Sequence, residues 1–284
     1  MQYYKTISKI RINKGIKVLD LLNNNMSRSS YNRYVSGQTD IYSQHFLDLL
    51  DQLHISVSEL DVIANNYRYS EKDAIFQKVT MALKNKDFNE LYLIYKKVKS
   101  LANQKQNDFY THISEILVLI LNCSKISSSF NIEESYVYYY LLQAFVWTDY
   151  EFKLFSLMLP FLTATEVEPF FTKIEHFFKK LGHSTFYSKQ YFDLLCDVTF
   201  YFIHHQNYDR ALHYIFLLES CTLPEDLVYE QMLLIFFTNL KKLLFFPATT
   251  YSDSLKDCIT TAKFLKMYSL AEKFEKTISE IISK

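Results

Sequence analysis

The chain has 284 residues, of which 49% are hydrophobic and 17% aromatic, and it contains only three glycines and four prolines. So little glycine argues against turn-rich β-architectures and phosphate-cradling loops, and favours long helices joined by short polar turns. The net charge is zero, but residues 1–40 hold seven Lys/Arg against two acids, so a +5 end precedes a −5 body; a basic end on an acidic body is a footprint of nucleic-acid contact.

The first 64 residues predict five short helices. Ile7 and Ile10 give an apolar stripe to a helix over Tyr3–Ile12, which Gly15 ends. A very short helix over Lys17–Leu22 follows, then a tight turn at Asn23, Asn24 and Asn25. Ser27 is the expected N-cap of a third helix, Arg28–Ser36, closed by Gly37. A fourth helix over Ser43–Leu53 should turn Phe46, Leu47, Leu50 and Leu53 inward, and Ser56 with Glu59 makes a capping box for a fifth. Residues 65–72 read as a linker.

From residue 73 the pattern is helix after helix, near 73–85, 88–103, 107–123, 133–147, 149–162, 166–181, 187–205, 208–220, 225–244, 253–265 and 269–283. Short connections favour antiparallel neighbours. The spacing of Ala211 to Tyr214 returns at Ala271 to Phe274, as in a degenerate tetratricopeptide-like array. The fold class expected is therefore all-α, with a helix-turn-helix domain at 1–64, a linker at 65–72 and a helical-repeat domain at 73–284. The 23 tyrosines and 24 phenylalanines read first as a bulky core, with an aromatic-lined groove as the alternative.

Other chemistry finds little support. Cys123, Cys196, Cys221 and Cys258 are far apart, form no CxxC pair and read as reduced core thiols. His204, His205 and His213 straddle a turn without an acidic ligand, so no metal site is expected, and no cofactor is implied. No phosphate loop, nucleophile elbow or HExxH motif occurs, so no enzyme is predicted. Asp193 and Asp197 share one helix face, as a solvated face or a peptide contact. The N-terminus lacks a signal-peptide core and Leu154–Thr165 is too short to span a bilayer, so a cytoplasmic protein without a membrane partner is expected.

A short helix, a tight turn and a second helix fit a DNA major groove. In the third helix Tyr31 and Tyr34 should point to the core, leaving Ser27, Arg28, Ser29, Asn32 and Arg33 outward. Arginine suits guanine edges and phosphate, asparagine suits adenine, and serine hydroxyls suit phosphate. Lys5, Arg11, Lys14 and Lys17 are candidate phosphate contacts. The alternative is a solvated polar face.

The run Ile10-Arg11, Gly15-Ile16, Ser27-Arg28-Ser29, Arg33-Tyr34, Gly37 and Asp40-Ile41 resembles the N-terminal domain of Rgg-type regulators, the peptide-sensing group of Gram-positive bacteria. Trp147–Phe155 is similar to that family's segment in which a Tyr-Glu pair precedes Leu-Phe, and Tyr208–Tyr214 and Tyr229–Phe237 fit its later helices. The resemblance implies a homodimer that binds double-stranded promoter DNA and receives a short signalling peptide in its repeat domain, with RNA polymerase a further candidate partner. Within a repeat array of that kind, polar residues on otherwise apolar first helices are the candidate peptide contacts: Lys153, Tyr201, His204 and Asn239. Lys17 and Val18 replace the family's Thr-Gln, Leu22 replaces a small alanine, and Val35 replaces a Glu that would pair with Arg11. Arg11 is then either free for phosphate or unpaired. The alternative reading is an interaction scaffold with a degenerate, non-DNA-binding helix-turn-helix domain.

Overall fold

The computed structural model describes residues 2–22, 26–105, 107–123, 132–181, 188–245 and 253–282. Every regular element among them is helical. The chain divides into two compact units, Met1–Asn85 and Lys86–Lys284. The Asn23–Asn25 turn and the Cys123 side chain lie outside the described residues.

The first unit contains α1 (Tyr3–Asn13), α2 (Val18–Leu22), α3 (Arg28–Val35), α4 (Ser43–Gln52), α5 (Val57–Ala64) and α6 (Glu71–Lys84). Local chemistry sets their ends. Ser27 accepts a hydrogen bond from the Ser30 amide at 3.1 Å and starts α3. Ser56 and Glu59 close the expected reciprocal capping box on α5. Ser70 accepts from the Asp73 amide to start α6. Ile7, Ile10, Leu21, Leu22, Tyr31, Tyr34, Leu49, Leu50, Leu53 and Leu60 form one core. One inward assignment on α4 is corrected: Leu47 is 49% exposed and Leu49 takes its place in the core. The α4 stripe is set by Leu49, Leu50 and Leu53, and Phe46 packs only at its edge.

Gly15 and Gly37 both take left-handed backbone, at φ +68° and +75°. Their surroundings differ. A Cβ at Gly15 would meet nothing within 4 Å, whereas one at Gly37 would lie 2.9 Å from the ring of Tyr4. Gly37 therefore ends the third helix and also admits a side chain of the first.

The second unit runs through α7 (Phe88–Lys105), α8 (Asp108–Cys123), α9 (Tyr136–Gln143), α10 (Asp149–Met158), α11 (Ala164–Leu181), α12 (Ser188–His204), α13 (Tyr208–Glu219), α14 (Val228–Phe245), α15 (Asp253–Phe264) and α16 (Tyr268–Ile282). Neighbours in sequence pack as pairs, α7 on α8, α12 on α13 and α15 on α16. Left-handed turn residues, Lys86, Gln206 and Lys266, stand in the tight connections before α7, α13 and α16. In a chain so poor in glycine, these side chains carry the strain that glycine would remove.

The single helix expected over 133–147 is corrected. A 3-10 turn spans Ile132–Glu134, Ser135 caps a shorter α9, and Ala144 leaves helical geometry with ψ 116°. Trp147 explains the break. Its buried indole packs on Phe152, Phe155 and Phe170, and a Thr148–Glu151 capping box starts α10 directly after it.

A buried polar group sits where α8, α9 and α10 meet. His112 is 1% exposed; its Nδ1 shares a 2.7 Å hydrogen bond with Tyr150 Oη, and Tyr136 and Tyr140 flank the ring. Its Nε2 has no protein partner among the described residues. Burial pushes the imidazole down to about 4, against the pull of Asp108 and Glu151. Tyr140 donates to Glu151 Oε1 at 2.5 Å, while Thr148 donates to Oε2 from both amide and hydroxyl. Burial disfavours that carboxylate, but these bonds outweigh it and hold it below the usual range.

Gly15→Ala should cost about 1 kcal/mol for the left-handed backbone alone, and Gly37→Ala about 2 kcal/mol or more because Tyr4 must also move. Urea unfolding of the two full-length variants checks the order. His112 has a folded-state pKa below its unfolded value near 6.5, so its contribution is present above pH 6.5 and lost as pH falls towards 4. The loss amounts to about 3 kcal/mol. Unfolding curves over that range should be less pH-dependent in His112→Gln than in the parent chain, and equal slopes would contradict the assignment.

Candidate functional site

The first candidate surface is built on α3. Tyr31 and Tyr34 are buried on one side, and Arg28, Ser29, Asn32 and Arg33 are exposed on the other. The 3.6-residue period thus separates an anchoring face from a polar one. A recess of about 560 Å³ opens beside it, lined by Ser27, Ser30, Arg33, Asp40, Tyr42 and His45 among others.

The four candidate phosphate contacts do not share one fate. Lys5 and Lys17 are exposed. Lys14 donates to the Leu53 carbonyl at 2.6 Å, where it satisfies the end of α4. Arg11 is neither free nor unpaired, which resolves the two alternatives left by sequence. Its Nε donates to Tyr31 Oη at 3.1 Å and its guanidinium donates to the Ile16 carbonyl at 2.7 Å. The partner that Val35 cannot supply comes instead from a buried tyrosine. Val18 and Val35 pack at the edge of the core and Leu22 lies inside it, so all three substitutions are absorbed by packing.

The second candidate surface lies where α12 meets α10, α14 and α16. Lys189 of α12 binds both Asp193 on its own helix, at 3.0 Å, and the buried Glu230 of α14. One turn further, Asp197 is half-buried and supported by Ser156 of α10. Across from it, the Lys273 ammonium of α16 sits 3.7 Å above the Phe200 ring. Burial raises the Asp197 carboxyl against the pull of Lys273 and Ser156, and burial lowers Lys273 against the pull of Asp197. Lys273 is nevertheless exposed and Asp197 half-buried, so the two opposite charges stand at the edge of the packed helices, where partial burial works against each charge and the other favours it. Half-buried Phe200 packs on Phe237, beneath which the fully buried Phe236 stacks on Phe274 at 3.8 Å as part of the core.

The sequence-derived contacts meet this region unevenly. Lys153 is exposed on α10 and bridges Asp149 at 2.5 Å. His204 is exposed on α12 and pairs with Glu280 of α16 at 3.3 Å. Tyr201 is buried, with its hydroxyl on the Leu162 carbonyl at 3.2 Å. Asn239 donates to the Ile235 carbonyl on its own helix at 2.9 Å. The residues that sequence reasoning missed are Ser156, Phe200, Glu230 and Lys273; Asp197 was noticed only for its neighbour Asp193. The available signal was a charge recurring on alternate helices within apolar surroundings.

The histidines make other contacts. His205 Nδ1 donates to the Tyr201 carbonyl and His213 pairs with Glu175. No group of three or more potential metal ligands occurs among the described residues. Cys196 and Cys258 are buried and Cys221 is half-buried, all three as free thiols. No helix among the described residues is long and apolar enough to cross a membrane.

Residues 103–276 match the family model described as "HTH-type transcriptional regulator Rgg, C-terminal domain". Solved structures share the fold over nearly the whole chain. One, from Listeria monocytogenes EGD-e and assigned to transcriptional regulation, is 15% identical with a TM-score of 0.81, covering 99% of this chain and 97% of that one. The Streptococcus dysgalactiae SHP pheromone receptor Rgg2 is 16% identical with a TM-score of 0.72, covering 96% and 97%. A bacterial peptide pheromone/receptor complex is 14% identical with a TM-score of 0.72, covering 100% and 99%.

Proposed function

The chain belongs to the family of HTH-type transcriptional regulators called Rgg, and we propose that it is a homodimer that binds promoter DNA through α3 and senses a short signalling peptide on the helices around α12. The observation that carries the DNA half is the division of α3. Its aromatic side is spent on the core, while Arg28, Ser29, Asn32 and Arg33 have no packing duty. Two copies of this helix in successive major grooves would stand about 34 Å apart on a near-palindromic site. Exposed Lys5 and Lys17 add phosphate contacts. Arg11 and Lys14 also hold the frame, since each donates to neighbouring helices or turns at Tyr31, Ile16 and Leu53. RNA polymerase is a further partner of this reading, and the cytoplasm its compartment.

The peptide half is supported by the convergence of Asp197 and Lys273 beside the half-buried Phe200. Peptide recognition needs apolar surface for side chains and polar groups for backbone or termini; here the half-buried Phe200 supplies apolar surface, with Asp197 and the exposed Lys273 beside it. Two of the similar structures are described as pheromone receptors. Within this reading Lys153 and His204 are rim contacts, held ready by Asp149 and Glu280. Tyr201 and Asn239 contribute by shaping α12 and α14.

Arg28→Ala and Arg33→Ala should each weaken binding to promoter fragments selected from genomic DNA by roughly 10–100-fold, with the melting temperature unchanged. Normal retardation of those fragments by the double variant would place recognition on another helix. A thermal-shift screen with synthetic apolar peptides of about seven residues checks the second half. Asp197→Asn and Lys273→Met should each abolish the stabilisation that a responding peptide gives the parent chain. Equal stabilisation of both variants would move the peptide site elsewhere.

A further inference from the structure

The first helix of the second unit carries a charge pattern that neither proposed site uses. Leu91, Ile94 and Val98 bury one side of α7. On the opposite side Tyr92, Lys96, Lys99 and Asn103 follow at helical spacing, with Tyr95 and Lys97 beside them. Between Leu91 and Lys105 there are four lysines and no acid, whereas residues 106–284 hold fifteen Lys/Arg against twenty-one Asp/Glu. The patch is therefore a cationic island on an acidic body.

The partners of these lysines differ from those elsewhere in the unit. Lys153, Lys189, Lys241, Lys256 and Lys263 each face a carboxylate within 3.0 Å. Among the described residues, Lys96 and Lys99 are met by tyrosines. The Lys96 ammonium lies 4.6 Å from the centre of the Tyr92 ring, and that of Lys99 lies 5.3 Å from the centre of the Tyr95 ring and donates to its hydroxyl at 2.9 Å. A tyrosine positions an ammonium without cancelling its charge. The sequence thus keeps two exposed lysines ordered and still positive, with Lys97 adjacent.

We propose that this face of α7 binds the phosphate backbone of duplex DNA, as a sequence-independent contact outside the helix-turn-helix. The inference rests on the DNA-binding reading of the first unit. Charge complementarity selects the occupant: the stripe from Tyr92 to Asn103 is about 16 Å long, enough to meet more than one phosphate of a polyanion whose charges recur at about 3.4 Å of axial rise per strand. The face also follows closely in sequence the unit that carries α3, and Ser100, Asn103 and Gln104 add neutral donors along it.

The test uses the full chain and a labelled, mixed-sequence duplex of about 30 base pairs, titrated by fluorescence anisotropy between about 50 and 200 mM NaCl. The variant Lys96→Gln/Lys97→Gln/Lys99→Gln removes exposed charges only, so its melting temperature should match the parent. It should weaken binding at least about tenfold at the lowest salt and reduce the slope of log K against log salt by about 2–3. The matching triple arginine variant should keep the parent slope. An unchanged slope in the glutamine variant, with the parent still binding, overturns the α7 contact and leaves the α3 reading intact. A parent that binds no duplex at any salt overturns both. Loss of binding to phosphatidylglycerol vesicles, with DNA affinity unaltered, assigns the face to a lipid surface and overturns the proposal.

Discussion

A phenol hydroxyl buried in a helical core must be given a partner, and in the first unit that partner is Arg11. Tyr31 is 1% exposed, and the guanidinium that reaches it also closes on the Ile16 carbonyl. One side chain thereby joins α1, the turn after Gly15 and the inner side of α3. Leaving either group unpaired would cost about 1–3 kcal/mol. The rest of the unit inherits its geometry from this link: Tyr34 packs edge-on to Tyr4, Tyr4 fills the space that Gly37 leaves open, and the outward residues of α3 point away as a consequence.

The second unit solves a related problem with aromatic rings. Phe171, Phe202 and Tyr214 pack across α11, α12 and α13, with Phe202 and Tyr214 near parallel at 13°. Phe236 and Phe274 do the same across α14 and α16. Large flat side chains fill wide inter-helix spaces with few rotatable bonds, so the helices that bear Asp197 and Lys273 are held firmly enough to keep two incompletely paired charges near each other. The 47 tyrosines and phenylalanines thus serve first as a bulky core, as the fully buried Phe171, Tyr214, Phe236 and Phe274 show.

What could be read in advance was local. Gly15, Gly37, Ser27 and the Ser56–Glu59 box act within a few residues, and each ends or starts a helix where expected. Arg11 was ambiguous because its partner lies twenty residues away on another helix. The break after Gln143 was missed because Tyr136–Trp147 has no glycine or proline; the tertiary demand of Trp147 overrides helix propensity there. Asp197 and Lys273 belong to helices separated by α13, α14 and α15, and no periodicity within either segment reveals their meeting. Tyr201 and Asn239 stand out in the sequence as polar residues on apolar helices, but the backbone carbonyls to which each donates, at Leu162 and Ile235, could not be read from it.

The separation of duties on α3 bears on how such a protein changes over generations. Gly37, Tyr31, Tyr34 and Arg11 lock the helix in place, while Arg28, Ser29, Asn32 and Arg33 contribute almost nothing to the core. Exchanging the outer four residues leaves the scaffold's stability nearly untouched. A duplicated copy of the gene could therefore drift to a new operator through a handful of substitutions, each tolerated by the fold as it arises. The same division confines the residues that must stay fixed to the inward side of the helix.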